Sequence, residues 1–181
     1  FLLAKIPSDL GRIVDIIKQY YDQRNKIVAR IPHLDPVYYE LGSRSKTRNL
    51  IPAYLALCYE GNPDGKAVEA FCKFFLGFGR ALMYDQRTGY RPGNWQIVGA
   101  SALFRLGAVF SYLKEASSWR KCALEIMKAH LKRDFFEDGC HKERCWSYGG
   151  MSLEGILDFY EVGKRLKTLS ASDENIFLKH I

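Results

Sequence analysis

The sequence has no long apolar run, and none of its hydrophobic stretches approaches the about 20 residues of a membrane-spanning helix. It also lacks an initiator Met and a secretory leader, and it opens at Phe1-Leu2-Leu3 in the middle of an apolar pattern. We therefore expect a piece of a longer protein, for which a missing leader gives no information about the compartment.

Cysteine spacing typical of zinc or redox sites is also lacking. No two of the five cysteines form a CxxC pair; they are Cys58, Cys72, Cys122, Cys140 and Cys145. The segment from Cys140 to Cys145 reads C-H-x-E-x-C, which would crowd metal ligands, and no second cluster completes it. We therefore predict no metal and no cofactor, and we expect the thiols to be buried as small apolar side chains.

Charge is not concentrated in one tail or block. The 181 residues carry a net charge of +7 with a pI of about 9.1, which favours anionic partners. A solvated helical surface would explain scattered basic residues equally well. Nucleic acid, an anionic membrane and an acidic polysaccharide are all compatible with the charge. Because no nucleic-acid motif and no membrane segment is present, we predict neither of the first two as a partner.

Alternating strand patterns of useful length are absent, and the periodicity is helical nearly throughout. Hydrophobic residues make up 48% and charged residues 26%, which excludes a disordered chain. The predicted helices are a Ser8-capped stretch over 10–21, then 46–60, 66–83, 95–114, a Ser117- or Ser118-capped helix to 136, 151–167, and a tail helix from Ser172. We predict an all-α domain over 1–181, in which antiparallel helical hairpins form an incomplete α/α toroid.

Two long loops, residues 85–95 and 137–150, are rich in polar and aromatic side chains. They precede the predicted fourth helix and follow the predicted fifth. If these two helices form one hairpin, both loops lie at the same end of the layer. Asn94 and Tyr148 would then face one another across a groove, which is where loops carry function.

The two loops also carry an ordered set of motifs: Gly93-Asn94-Trp95-Gln96, then Trp119, then Asp138-Gly139-x-His141-x-Glu143, then Ser147-Tyr148. In this order the motifs resemble the helical domain of heparinase II/III-type polysaccharide lyases, and the resemblance covers roughly residues 64–165. This sequence has Arg144-Cys145-Trp146 where the family often carries a Ser-Pro step. That departure affects the loop that carries Tyr148.

The resemblance implies β-elimination on an acidic, uronate-containing polysaccharide, in a periplasmic or secreted protein. Asn94 would neutralise the substrate carboxylate and Tyr148 would transfer protons. A phenol is a weak base, so cations such as Arg91 or Arg144 would favour the phenolate. A β-sandwich domain of the same chain, absent here, would supply a histidine. The expected substrate-binding residues are Arg91, Trp95, Gln96, His141, Glu143 and Trp146.

Each of these residues also has a purely structural interpretation. Asn94 is a good N-cap, and Trp95 and Trp146 could belong to the core. Glu143 could be a hydrogen-bond acceptor behind the site, and Gln96 could simply occupy a first helical turn.

Two other functions also fit the sequence. An α/α-toroid glycoside hydrolase would use two carboxylates, Asp138 or Asp85 with Glu143. A non-catalytic helical module could bind polyanions through the basic residues alone.

Overall fold

The computed structural model describes residues 10–26, 42–59 and 64–180. Within these ranges the chain forms seven helices: α1 (Leu10–Lys26), α2 (Ser43–Tyr59), α3 (Gly65–Arg87), α4 (Asn94–Val109), α5 (Ala116–Arg133), α6 (Trp146–Arg165) and α7 (Ala171–Leu178). In the described part of the chain, the only strand-like pairing is one antiparallel bridge between Phe135 and His141. The predicted all-α fold is therefore confirmed.

The helices pack in two layers. In one layer α4 lies between α2 and α6, and in the other α3 lies between α1 and α5. The most extensive contact joins α4 to α5 across the layers, and a six-residue turn connects these two helices. They form the antiparallel hairpin that places the two polar loops at one end. Closure of the layers into a toroid stays a prediction.

The core surrounds α4, which is buried on nearly every side. The rings of Phe104 in α4 and Phe159 in α6 stack with centroids 3.8 Å apart. Phe159 in turn stacks on Phe177 of α7 at 5.1 Å. These contacts fix the position of α6 along α4, and with it the position of the loop that precedes α6. No helix within the described ranges is long and apolar enough to cross a bilayer.

Trp119 of α5 fills the space between α3 and α4 and is 1% exposed. Its indole lies directly against Gly79, so that a Cβ at this position would overlap the ring. Gly79 therefore allows the close approach of α3 and α5, at the usual cost of a glycine within a helix.

Two predicted helix ends are wrong at the α4–α5 turn. The predicted fourth helix runs five residues too far, and α5 begins before Ser117 and Ser118, with Glu115 at its N-cap position. The physical reason is a close helix crossing, because a Cβ at Gly107 would lie 2.6 Å from the carbonyl oxygen of Ala116. The chain leaves the helical path shortly after this contact.

The predicted start of the sixth helix is also wrong. α6 begins at Trp146, five residues before Met151. The Gly149-Gly150 pair is typical of a loop, but here it continues the first helical turns. A Cβ at Gly149 would meet the Cβ of His141 at 3.5 Å, an ordinary van der Waals distance, so this part of α6 lies within contact distance of the preceding loop.

Several other ends differ by a few residues. α2 begins three residues before 46, and α3 continues four residues past Met83, to Arg87. α5 stops three residues before Phe136, because the chain turns into the bridge described above. Ser170, rather than Ser172, lies at the start of α7, where it forms a capping box with Asp173.

Two further expectations have different outcomes. Ser8, the predicted cap of the first helix, lies outside the described residues. The thiols were expected in the core, but Cys58, Cys140 and Cys145 are exposed and the other two cysteines are half-buried; all five are free. The exposed cysteines lie at a helix end or in a loop, where no apolar layer covers them.

We expect Gly79→Ala to destabilise the fold by about 1–3 kcal/mol, because overlap with Trp119 outweighs the better helix propensity of alanine. Urea unfolding measures the change. The matched control is Gly150→Ala in α6, where a Cβ meets no atom within 4 Å. This variant should be stabilised, by up to about 1 kcal/mol. Equal effects of the two substitutions would contradict the packing argument.

Candidate active site

The start of α4 is built around Gly93, not Asn94. Gly93 occupies the N-cap position with φ of +100°, so the predicted N-cap role of Asn94 is wrong. A Cβ at Gly93 would lie 2.5 Å from Glu143 Oε1, so only glycine fits both the backbone angle and this contact. The Asn94 side chain is consequently not occupied by a cap.

Glu143 caps α4 from the other loop. Its Oε1 accepts a hydrogen bond from the Asn94 backbone N–H at 3.3 Å. A carboxylate at a helix N-terminus is favoured by the unpaired N–H groups and the helix dipole. Glu143 is thus a hydrogen-bond acceptor that connects the two loops, and it occupies one of the backbone donors that an anionic ligand could otherwise use.

The Asn94 side chain lies beside the first turns of α6. It is 2% exposed, and its Nδ2 donates weakly to Met151 Sδ at 3.7 Å. Met151 follows Tyr148 by three residues in α6, so the two lie on neighbouring turns. The structure therefore brings Asn94 to the helix that carries Tyr148. A shared groove between the two side chains stays a prediction.

A buried carboxylate, Asp134, holds the base of both loops. It accepts hydrogen bonds from the Tyr90 hydroxyl, from His130 Nδ1 at 2.5 Å and from the Gly93 backbone N–H at 3.4 Å. Its own backbone carbonyl accepts from the Lys142 N–H at 2.7 Å. Asp134 therefore links the loop before α4 to the loop after α5.

Gln96 extends this network. Its Oε1 accepts from the Arg91 backbone N–H at 2.8 Å, and its Nε2 donates to the Gly89 carbonyl at 2.8 Å. These two backbone partners fix the orientation of the amide. His130 Nε2 lies 3.0 Å from the same Oε1, so Gln96 also contacts the imidazole ring that binds Asp134.

The predicted substrate contact of Gln96 stays a prediction. Its side chain is 1% exposed and already makes three hydrogen bonds within the protein. In the structure Gln96 holds the loop between Gly89 and Gly93. It lies in the first turn of α4, as the alternative interpretation stated.

The electrostatics of the network favour an ionised Asp134. Burial opposes the carboxylate, but the hydrogen bonds from His130 and Tyr90 outweigh this effect and hold its pKa below the ordinary value. The pKa of Tyr90 is raised, first by burial and then by its hydrogen bond to Asp134. Tyr90 is therefore a protonated donor, and this tyrosine is unsuited to act as a base.

His141 lies behind the second loop with an unsatisfied ring nitrogen. Its side chain is 6% exposed, and its Nδ1 accepts from the Glu143 backbone N–H at 3.3 Å. Its Nε2 is buried and has no hydrogen-bond partner among the described residues. Burial lowers the pKa of His141, so the ring is neutral near pH 7.

Three aromatic side chains are exposed around this end of the molecule. Trp95 is 49% exposed, Trp146 97% and Tyr148 52%. The alternative interpretation of the two tryptophans as core residues is therefore wrong, because Trp119 takes that role between α3 and α4. Exposed indoles at the first turns of α4 and α6 are available to a ligand.

The two arginines expected to act on Tyr148 have other contacts. The Arg144 guanidinium lies over the Phe136 ring, 5.3 Å from its centroid. Arg91 Nη2 donates to the Asp85 carbonyl at 3.3 Å. Their assistance to a phenolate stays a prediction, and Arg144 would have to leave Phe136 to provide it.

Sequence reasoning missed Tyr90, His130 and Asp134. A signal was present, because His130 and Asp134 continue the buried face of α5 that contains Met127. A polar pair separated by four residues at apolar helix positions indicates a buried hydrogen-bonded pair. In the described part of the chain no group of three or more His, Cys, Asp or Glu side chains could hold a metal ion.

Comparison of the sequence with known protein families identifies one match. The profile of the family described as Heparinase II/III N-terminus matches residues 71–174, which includes both loops and the helices between them. The chain belongs to this family. The resemblance predicted from the residues around Asn94 and Tyr148 is thereby confirmed.

One curated relative is stage V sporulation protein D of Bacillus subtilis. It is 33% identical over 107 residues, which cover 49% of this chain and 17% of that protein. The match thus spans about a sixth of the relative's length. No solved structure matches the chain.

We expect the fold to lose stability as the pH falls below about 6.5, the ordinary pKa of histidine. The pKa of His141 is lowered in the folded state, so the unfolded chain binds the proton first and acid favours unfolding. Urea unfolding at pH 7 and pH 5 measures this loss, and His141→Gln should reduce it.

The control for this pH dependence is His180→Gln, because the His180 ring is paired with the Ile176 carbonyl at 3.0 Å. In His180→Gln the loss of unfolding free energy between pH 7 and pH 5 should be closer to that of the unsubstituted protein than in His141→Gln. A difference unchanged by His141→Gln would show that His141 is not the responsible group.

Proposed function

We propose that this heparinase II/III N-terminal domain is the helical part of a polysaccharide lyase that cleaves an acidic, uronate-containing polymer by β-elimination. One observation carries the proposal. The buried Asn94 side-chain amide, which does not serve as a helix cap, contacts α6, and the first turn of α6 holds the exposed Tyr148. Family membership supports the reaction class, and the residues supply a chemistry that fits it.

In the proposed reaction the Tyr148 phenolate removes the proton at C5 of the uronate. The electron pair forms the C4–C5 double bond as the C4–O bond breaks, and the departing oxygen takes up the proton that Tyr148 has removed from C5. Negative charge gathers on the substrate carboxylate in the transition state. The Asn94 Nδ2–H group would donate to that carboxylate in place of its weak contact with Met151 Sδ.

The surroundings fit an extended sugar ligand. Trp95 and Trp146 offer exposed aromatic faces at the starts of α4 and α6. The net charge of +7 favours encounter with a polyanion. A following β-sandwich domain would supply the assisting histidine and one wall of the groove.

A hydrolase is the alternative with the same substrates. Its carboxylate candidates are engaged in the protein, because Glu143 Oε1 accepts from the Asn94 N–H and Asp138 Oδ1 accepts from the Cys140 N–H at 2.9 Å. Incubation of the full-length protein with a panel of acidic polysaccharides separates the two reactions. A lyase produces an unsaturated uronide that absorbs in the near ultraviolet, whereas a hydrolase releases reducing ends without this absorbance.

We expect Tyr148→Phe in the full-length protein to lower kcat by about 10²–10⁴-fold, the usual contribution of a general acid or base. The substitution removes one exposed oxygen, so urea unfolding should be unchanged. Tyr59→Phe is the control, since Tyr59 is 77% exposed at the far end of α2. Near-normal activity of Tyr148→Phe would refute the assignment of this residue.

We expect Asn94→Asp to lower kcat by at least about 10²-fold, because an anion would face the substrate carboxylate. Glycine provides the cap of α4, so Asn94→Ala should lose activity without the stability loss of a removed N-cap side chain. Asn175→Asp in α7 is the control for added charge. Activity retained by Asn94→Asp would assign carboxylate neutralisation to another group.

A further inference from the structure

A cluster of arginines from α2, α4 and α6 surrounds the C-terminal half of α4, away from the two loops. Arg105 follows Asn94 by eleven residues, which places it on the same face of α4 about 16 Å further along the axis. Facing it from α6 is Asp158, whose side chain is 6% exposed. This cluster is therefore distinct from the candidate active site.

Asp158 is already paired without Arg105. Its Oδ2 accepts from Arg44 Nε at 2.9 Å, and its Oδ1 accepts from Arg48 Nη2. Arg44 also bonds to Glu154. Because two guanidinium groups satisfy both oxygens, the buried carboxylate explains the presence of Arg44 and Arg48.

Arg105 is the surplus cation. Its side chain is 15% exposed, and its nearest acid is Asp158 Oδ1 at 3.5 Å, an oxygen that Arg48 already binds. A guanidinium has five N–H donors, and Arg105 shares its carboxylate oxygen with Arg48. Burial, and then the neighbouring arginines, lower the pKa of Arg105, while Asp158 and Glu161 oppose this shift.

Arg105 lines a half-open pocket of about 230 Å³, called the cavity below. Its lining combines three arginines, Arg48, Arg105 and Arg165, with the acids Asp158 and Glu161 and with apolar residues such as Val109 and Val162. Arg165 forms no ion pair with any residue in the ranges that the structure describes. A fork of N–H donors beside an apolar wall matches a carboxylate attached to a small carbon skeleton.

The charge of the cluster favours a monoanion. Arg44, Arg48, Arg105 and Arg165 face Glu154, Asp158 and Glu161, so one positive charge is left over. Glu161 on the wall would repel a dianion such as phosphate. We propose that this cavity binds a small monocarboxylate, held by Arg105 with Arg165 at the rim and packed against Val109 and Val162.

The experiment is a calorimetric titration of the full-length protein with acetate, D-glucuronate, D-glucose and inorganic phosphate. Saturable binding of a carboxylate, with none of D-glucose, is expected. Tighter binding of D-glucuronate than of acetate would identify an acidic sugar as the source, and equal binding a simple carboxylate. No saturable binding of either carboxylate, or tighter binding of phosphate, would overturn the proposal.

Variants locate the bound carboxylate. Arg105→Gln should weaken binding at least about tenfold, as expected for the loss of a charged hydrogen-bond donor. Lys114→Gln, which removes the same charge from the turn after α4, should have no effect. Should Arg105→Gln fail to fold by circular dichroism, the exposed Arg165→Gln takes its place, with a several-fold loss expected. The cavity proposal does not depend on lyase activity, because binding is measured without turnover. Unchanged affinity in these cavity variants would overturn the proposal.

Discussion

The buried carboxylate of Asp134 is the constraint on which the candidate site depends. A carboxylate taken out of water is stable only when its oxygens are hydrogen-bonded. Asp134 meets this requirement with the Tyr90 hydroxyl and the Gly93 N–H from the loop before α4 and with His130 from its own helix. Without the Asp134 carboxylate these donors would be left buried and unpaired, and the loop before α4 would lose its anchor at the end of α5.

A second link lies nearer the surface. Glu143 takes the Asn94 N–H and fills the space that a side chain at Gly93 would need. The two carboxylates thus fix the loop before α4 at successive residues, Asp134 through Gly93 and Glu143 through Asn94. This double attachment, rather than a local capping motif, sets where α4 begins. It also sets the position of the Asn94 side-chain amide relative to α6.

Much of this arrangement could be predicted from the sequence. Apolar periodicity indicates the helices, and pairing the fourth and fifth as a hairpin brings loops 85–95 and 137–150 to one end. Asn94 and Tyr148 were recognisable because the residues around them resemble a family motif. The fold prediction is confirmed where the signal is local and repeated along the chain, whereas the roles of Asn94 and Tyr148 stay predictions.

The remaining features depend on contacts between distant residues. Asn94 is a residue type that often caps helices. Here the backbone angle of Gly93, and the carboxylate of Glu143 that lies 50 residues after Gly93, move the cap by one position. Gly149-Gly150 is typical of a loop, yet α6 begins before this pair, and Gly149 lies against His141. No local pattern contains that information, because the partner determines the outcome.

The double attachment of the loop before α4 also affects how a ligand would be received. Widening one side of the site would break bonds to Asp134 or Glu143, so the two loops cannot move apart independently. A binding surface held in this way is preorganised and loses little conformational entropy when occupied. Selectivity would then follow from a fixed width rather than from adjustment around each ligand, and poorly fitting chains would be rejected by shape.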